Sequence, residues 1–355
     1  MRVVATDRHA AHAPSGFIAR GNRIANPETP ERAAILRRAA EAGGHALLEA
    51  GEHGLAPVAA IHAADYLDFL QHAWAEWEAL PDHGSEMLPN VHPGRNMAIH
   101  PTHIVGKAGH YQADTACPIG PGTWTGARAS ADVAVTAADL VATDGRPAYA
   151  LCRPPGHHAY ADQAGGFCFL NNSAIAAQRL RDGGAKRVTV LDVDVHHGNG
   201  TQGIFYHRAD VQTVSIHGDP RAYYPFFTGY PDEIGAGPGR GANLNLPLAR
   251  GTGDAGYLET LETALAGVDA FRPDALVIAL GLDPLHIGIL VSINLSIGLI
   301  TPPYGICLFV ASTVAERPIG AVTRWVWIPL VPLIAVLLLI TYVPPVVLWL
   351  PGLFL

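Results

Sequence analysis

The distribution of charge constrains this chain more than any single motif. Of its 23 basic and 31 acidic residues, all but Glu316, Arg317 and Arg324 fall within residues 1–283, and only His286 of the 18 histidines lies beyond them. Residues 285–315 and 325–355 contain no charged side chain. Each run exceeds the roughly 20 residues that cross a bilayer as a helix. Trp325, Trp327 and Trp349 stand near the ends of the second run, where an aromatic belt would place them. The chain is therefore expected to divide near Asp283. An α/β body over 1–283 would be followed by a hydrophobic segment over 284–355 with two transmembrane-type helices.

Composition narrows what the body can be. The formal net charge is −8, and the tail adds two arginines against one glutamate, so the body is more acidic still. An acidic body argues against a nucleic-acid partner, which would need a basic face. Cys117, Cys152, Cys168 and Cys307 show no CxxC spacing, so neither a disulfide framework nor a thiolate zinc site is expected. The opening MRVVATDRHAAHAPSG carries charge and lacks an apolar h-region, so no secretory signal is expected.

Within the body, helix-like and strand-like patterns alternate. Thr29, Pro30 and Glu31 read as an N-cap, a first-turn proline and a first-turn acid, opening an Ala-rich helix that ends at Gly43-Gly44. NNSAIAAQRLRDGG reads as a second helix, closed by Gly183-Gly184, and GYLETLETALAGVDAF as a third. The apolar runs at 188–191, 211–217 and 274–281 read as short buried strands. Alternation with few hairpin signals favours a parallel sheet covered by helices on both faces.

In such sheets ligands bind beyond the carboxyl ends of the strands. The strand at 188–191 runs into Asp192-Val193-Asp194-Val195-His196-His197-Gly198-Asn199-Gly200, and the strand at 274–281 leads to Asp283. Two carboxylates and an imidazole from two strand ends suit a divalent ion that takes oxygen and nitrogen ligands and keeps positions open. Asp194 and His196, two apart, face one side if strand geometry persists. A polar strand-end loop would look the same on spacing alone. RPPGHHA adds His157 and His158 on a loop stiffened by paired prolines, and imidazole is the side chain suited to proton transfer near neutrality.

These stretches, RPPGHHA, GFCFLNN, LDVDVHHGNGTQ, VSIHGD and GLD, resemble in order and spacing the zinc-dependent histone deacetylase and acetylpolyamine amidohydrolase superfamily. DTACPIGPGTWTGARAS and YYPFFTGYPDEIGAG are most similar to its bacterial amidohydrolase branch. The resemblance implies a parallel-sheet arginase/deacetylase-like fold, truncated, over residues 1–283. It makes Asp194, His196 and Asp283 the ligands of Zn2+, which the same donors could exchange for another divalent ion. His157 and His158 become the general base and acid pair. A potassium site falls on Asp192 and the Ser215 region, with backbone help from Asp194 and His196. Gly166, Phe167 and Phe226 or Phe227 would line the tunnel for a small acetylated amine, an acetylpolyamine or an acetyl-lysine, with Asp114 at its rim. For the aromatics, ordinary core packing is the competing reading.

DPLHIGILVSINLSIGLITPPYGICLFVAS resembles the C-terminal end of the large permease subunit of TRAP-type dicarboxylate transporters. The two resemblances meet at Gly281-Leu282-Asp283-Pro284. Beyond it no stretch is similar to the glycine-rich loop that carries the deacetylases' catalytic tyrosine, and neither Tyr304 nor Tyr342 matches that loop. The expectation is a deacetylase-like body with impaired turnover, cytoplasmic and tethered to the inner membrane if the tail inserts, and compatible with a homo-oligomer. The alternatives are a chimeric or misassembled chain and a transporter fragment, both without deacetylase activity.

Overall fold

The computed structural model describes residues 1–281. One compact unit comprises Met1–Pro30 and Ala46–Gly281; a second includes Glu31–His45. The expected domain boundary at Asp283 and the hydrophobic segment 284–355 lie outside the described residues. Among the described residues, no helix is long and apolar enough to cross a membrane.

The chain opens with β1 (Arg2–Ala5) and a hairpin of β2 (Gly16–Ala19) and β3 (Asn22–Ala25). Helix α1 (Pro30–Ala42) begins at the proline and stops before Gly43-Gly44, as the sequence suggests. Then come β4 (Ala46–Glu49), α2 (Ala56–Ala59), α3 (Ala64–Glu78), α4 (Ile104–Tyr111) and α5 (Thr123–Asp144). Strand β5 (Ala148–Ala150) and helix α6 (Asn172–Asp182) follow, with Asn171 capping α6 by accepting from the Ala174 amide at 2.9 Å. The remainder alternates: β6 (Val188–Asp192), α7 (Asn199–Phe205), β7 (Val211–Gly218), β8 (Asn243–Leu248), α8 (Asp254–Phe271) and β9 (Ala275–Ala279).

The strands form a parallel sheet in the order β8-β7-β6-β9 and a second parallel set in the order β4-β1-β5. Every residue of β6 and β7 is buried, which accounts for their unbroken apolar runs. Alternation along β6 sends Val188 and Val190 into one core and Leu191 into the other. The first core is filled by Tyr66, Phe69 and Leu70 of α3, Val135 of α5 and Ile175 of α6. The second holds Val214 and Ile216 of β7 with Ala264 and Val268 of α8. Helices thus cover both faces of this sheet, as the alternation implied. The β2–β3 hairpin was not read: Arg20 and Gly21, both at positive φ (51° and 78°), make the tight turn.

Candidate active site

Register puts the strand ends level. Asp192 at the end of β6 lies beside Ser215 of β7 and Ala279 of β9. The chain then coils out of the sheet through two carboxylate turns. The Asp194 amide donates to Asp192 Oδ1 at 3.1 Å, and the His196 amide donates to Asp194 Oδ1 at 2.7 Å. This coil, and not continued strand geometry, is what brings Asp194 and His196 together, with His196 Nδ1 at 3.2 Å from Asp194 Oδ1. Burial opposes ionisation of Asp194, yet His196 and the His157 charge hold its carboxyl below the usual range.

His157 and His158 sit on a loop braced from behind. Ser130 Oγ and Asn172 Nδ2 both donate to the Pro154 carbonyl, at 2.8 and 3.0 Å. A Cβ on Gly156 would fall 2.4 Å from the Asn172 nitrogen, so only glycine fits there. The two rings lie 4.0 Å apart and have different partners. His157 Nδ1 is 2.8 Å from Asp192 Oδ2; His158 Nδ1 is 2.6 Å from Asn199 Oδ1. Burial alone would press His157 down, but the Asp192 carboxylate outweighs it and raises the pKa to about 9. For His158, burial and the neighbouring His157 charge act together and hold it well below the ordinary imidazole range.

Asp194 and His196 offer one carboxylate and one imidazole, with the His196 side chain 43% exposed. Among the described residues, no three His, Cys, Asp or Glu side chains converge to hold an ion. Asp283, the third expected ligand, lies outside the described residues. The backbone leading to it is visible as far as Gly281, where a Cβ would fall 1.7 Å from Asp194 Oδ2. Strand β9 therefore delivers the chain directly against the Asp194 carboxylate. Oxygen and nitrogen donors on a partly open loop fit a divalent ion of the zinc type.

Ser215 Oγ is 2.8 Å from His217 Nδ1, and the Asp192 carboxylate is engaged by His157 and the Asp194 amide. Gly166 (φ 53°) and Phe167 (φ 70°) are both left-handed, and the Phe167 ring meets Phe17 of β2 edge-on at 5.3 Å. Phe226 is also left-handed (φ 66°) and lies 6.5 Å from Tyr224, whereas Phe227 is 92% exposed. Asp114 accepts from the Tyr224 hydroxyl at 2.6 Å and the Gly166 amide at 3.0 Å. Two contributors were missed from sequence: Asn199, the partner of His158, and Tyr224, whose ring stands 4.8 Å from that of His158. The signals were available, in the HHGNG string and in the aromatic run Tyr223-Tyr224-Pro225-Phe226-Phe227.

The histone deacetylase domain matches residues 26–301. The tripartite ATP-independent periplasmic transporter DctM component matches residues 257–346. Acetylpolyamine amidohydrolase 1 of Pseudomonas aeruginosa is 46% identical over 80% of this chain and 83% of its own length. An acetylpolyamine amidohydrolase of Burkholderia pseudomallei is 49% identical over 77% of this chain and 79% of its own. The crystal structure of an acetylpolyamine aminohydrolase from B. pseudomallei superposes with a TM-score of 0.77, covering 80% of this chain and 82% of that one at 46% identity. By matched length, by identity and by fold, the chain belongs to the histone deacetylase family.

Proposed function

We propose that this chain is a metal-dependent amidohydrolase that releases acetate from a small acetylated amine, an acetylpolyamine or an acetyl-lysine. Asp194, His196 and Asp283 would hold Zn2+ or another divalent ion. When bound, such an ion polarises the acetyl carbonyl and acidifies a coordinated water. The observation that carries the reading is the contrast within the histidine pair, one ring on a carboxylate and the other on an amide. Asn199 Oδ1 accepts, so the His158 proton sits on Nδ1 and the Nε2 lone pair is left to take a proton from the attacking water. Asp192 keeps His157 cationic, which suits it to stabilise developing negative charge and to protonate the departing amine. Left-handed Phe167 and Phe226, with Gly166 and the exposed Phe227, are assigned to the acyl channel. The level placement of Asp192 and Ser215 on adjacent strands supports a K+ site there. An acidic body favours a cationic amine.

No stretch of residues 284–355 is similar to the family's tyrosine loop. Loss of one such oxyanion donor lowers turnover by about 10²–10³, so slow release is expected. The test is acetate release from an acetylated diamine by the full chain, purified in detergent and loaded with zinc, alongside Asp194→Ala. Zinc-dependent release that falls with zinc content in the variant is expected. A zinc-loaded chain that releases no acetate, or an Asp194→Ala variant at the parent rate, overturns the reading.

A second reading rests on the transporter match at 257–346. On it the C-terminal segment is a membrane-seeking permease fragment, joined to the body by rearrangement or misassembly. Reamplifying the locus across codons 275–295, with the intact mass of the product, decides whether the junction is real. Detergent-dependent solubility decides whether residues 284–355 seek a membrane.

A further inference from the structure

Both hydrogen bonds on the Asp114 Oδ2 come from groups that pack against His158. The Tyr224 hydroxyl donates at 2.6 Å and the Gly166 amide at 3.0 Å, while the Ala116 amide donates to Oδ1 at 2.8 Å. The Tyr224 ring stands edge-on to His158, centroids 4.8 Å apart and planes at 86°. Gly166 also presses on it, so close that a Cβ would lie 2.3 Å from His158 Cδ2. The packing at the neighbouring Gly165 is close but looser: a Cβ there would meet the Tyr224 hydroxyl at 3.2 Å and the Ala113 Cβ at 3.4 Å. The segment bearing Asp114 is itself fixed, since Ala113 donates to the Ala164 carbonyl at 2.7 Å and Ala164 to the Tyr111 carbonyl at 2.8 Å.

One carboxylate oxygen therefore draws three segments, 111–116, 165–168 and 223–227, onto a single imidazole. A charged acceptor suits this task, because two donors converge on one oxygen and bonds to an ionised group are roughly twice as strong as neutral ones. Burial, with the Asp114 charge, raises the Tyr224 pKa far above the usual phenol range, so its hydroxyl stays a donor. His158 is also held at Nδ1, which donates to Asn199 Oδ1 at 2.6 Å, and its ring lies 4.0 Å from that of His157.

We propose that Asp114 is a positioning residue: through Tyr224 and Gly166 it fixes the orientation of His158, and it does not bind the substrate's amine. The proposal rests on the amidohydrolase reading only for the reaction it serves. Its geometry can be read without turnover.

The experiment compares Asp114→Ala, Asp114→Asn, Tyr224→Phe and the Asp114→Ala/Tyr224→Phe pair in the zinc-loaded full chain. Two readouts are taken. One is the side-chain 15N resonance of His158. The other is steady-state release of acetate from an acetylated diamine and from an acetamide with an uncharged tail. A misplacement of about 1 Å costs roughly 10²-fold in rate. Asp114→Ala should therefore lower kcat on that scale, on both substrates alike, with KM nearly unchanged. Asp114→Asn, which keeps an acceptor, should recover part of the loss. Tyr224→Phe should shift the His158 resonance in the same direction, and the double variant should fall below Asp114→Ala by no more than about threefold. The proposal is overturned if Asp114→Ala raises KM for the cationic substrate alone, or if the His158 resonance stays unmoved in Asp114→Ala. Absence of turnover in the parent chain would sink the amidohydrolase reading, and the His158 resonance would still decide the role of Asp114.

Discussion

Gly166→Ala should separate folding from catalysis at one atom. The new methyl meets His158 Cδ2 at 2.3 Å, Cγ at 2.8 Å and Nε2 at 3.1 Å, where ordinary contact begins at 3.4 Å. Either the ring or the backbone must give by about 1 Å. The backbone resists, because the Gly166 amide is bonded to Asp114 and the residue already stands at φ 53°. An L-residue there costs roughly 1–2 kcal/mol, a small fraction of the 5–15 kcal/mol that stabilises a typical domain. With His158 as the proposed proton acceptor, a displacement of about 1 Å costs roughly 10²-fold in rate. We expect a folded variant, with a melting temperature a few degrees lower, whose kcat for acetate release falls about 10²-fold while KM stays within about threefold. Gly165→Ala, with contacts of 3.2 Å and longer, serves as the mild control. A Gly166→Ala variant at more than a third of the parent kcat would refute the contention that His158 is held by steric confinement.

Three further outcomes follow from buried groups. Asn199→Ala removes the acceptor at 2.6 Å from His158 Nδ1 and should cost about 10–100-fold in kcat, measured by acetate release at saturating substrate. The Arg153–Glu28 ion pair, at 3.0 Å with side chains 3% and 7% exposed, is one whose breakage is costly. Arg153→Met should lower unfolding free energy by roughly 3–5 kcal/mol in urea titration, and pairing it with Glu28→Leu should restore much of that. Acid should also destabilise the fold through His12 and His62, whose burial lowers their pKa values to about 3 and about 4. Below pH 6.5 the unfolded chain binds protons that the folded rings refuse, so stability is full above 6.5 and declines as pH falls toward 4. The slope is roughly 1.4 kcal/mol per pH unit for each ring. A His12→Gln/His62→Gln variant with the parent's melting-temperature slope between pH 6.5 and 4.5 would remove these two rings as the cause.

What the amino-acid text revealed, and what it hid, follows from how each element is stabilised. Strands β6 and β7 were legible because a parallel strand buried on its faces must be apolar along its length, and β9 because it keeps an apolar run although none of its residues is fully buried. Helices α1, α6 and α8 were legible from capping residues and length. Strands β1, β4 and β5 span only three or four residues and take their identity from a neighbour, which no local pattern records. At the site, the Asp194–His196 pair stood out because it follows the strand at 188–191, and the His157–His158 pair because it sits on a loop stiffened by prolines. Their spacing was read for the wrong reason: turns closed by Asp192 and Asp194, not strand alternation, bring them to one side. Asp114, expected at the rim from sequence, accepts from the Tyr224 hydroxyl, a partner 110 positions away that no local pattern records.

If Asp194, His196 and Asp283 hold an ion as proposed, strand β9 couples that ion to the sheet. Among the described residues it is bonded to β6 alone, at the margin of the four-stranded sheet, and Leu276, Ile278 and Leu280 are 43–50% exposed. Strands whose side chains have little apolar cover are where local opening is least costly. The backbone that leads to Asp283 leaves from this strand. Occupation of the site by an ion would then tether the sheet margin, and an ion gripped only by the closed state stabilises that state by mass action. Amide exchange along 275–279 should slow as zinc is added, while exchange in β7, buried throughout, stays where it was. The same coupling read in reverse makes metal affinity a gauge of how firmly the margin of the sheet is closed.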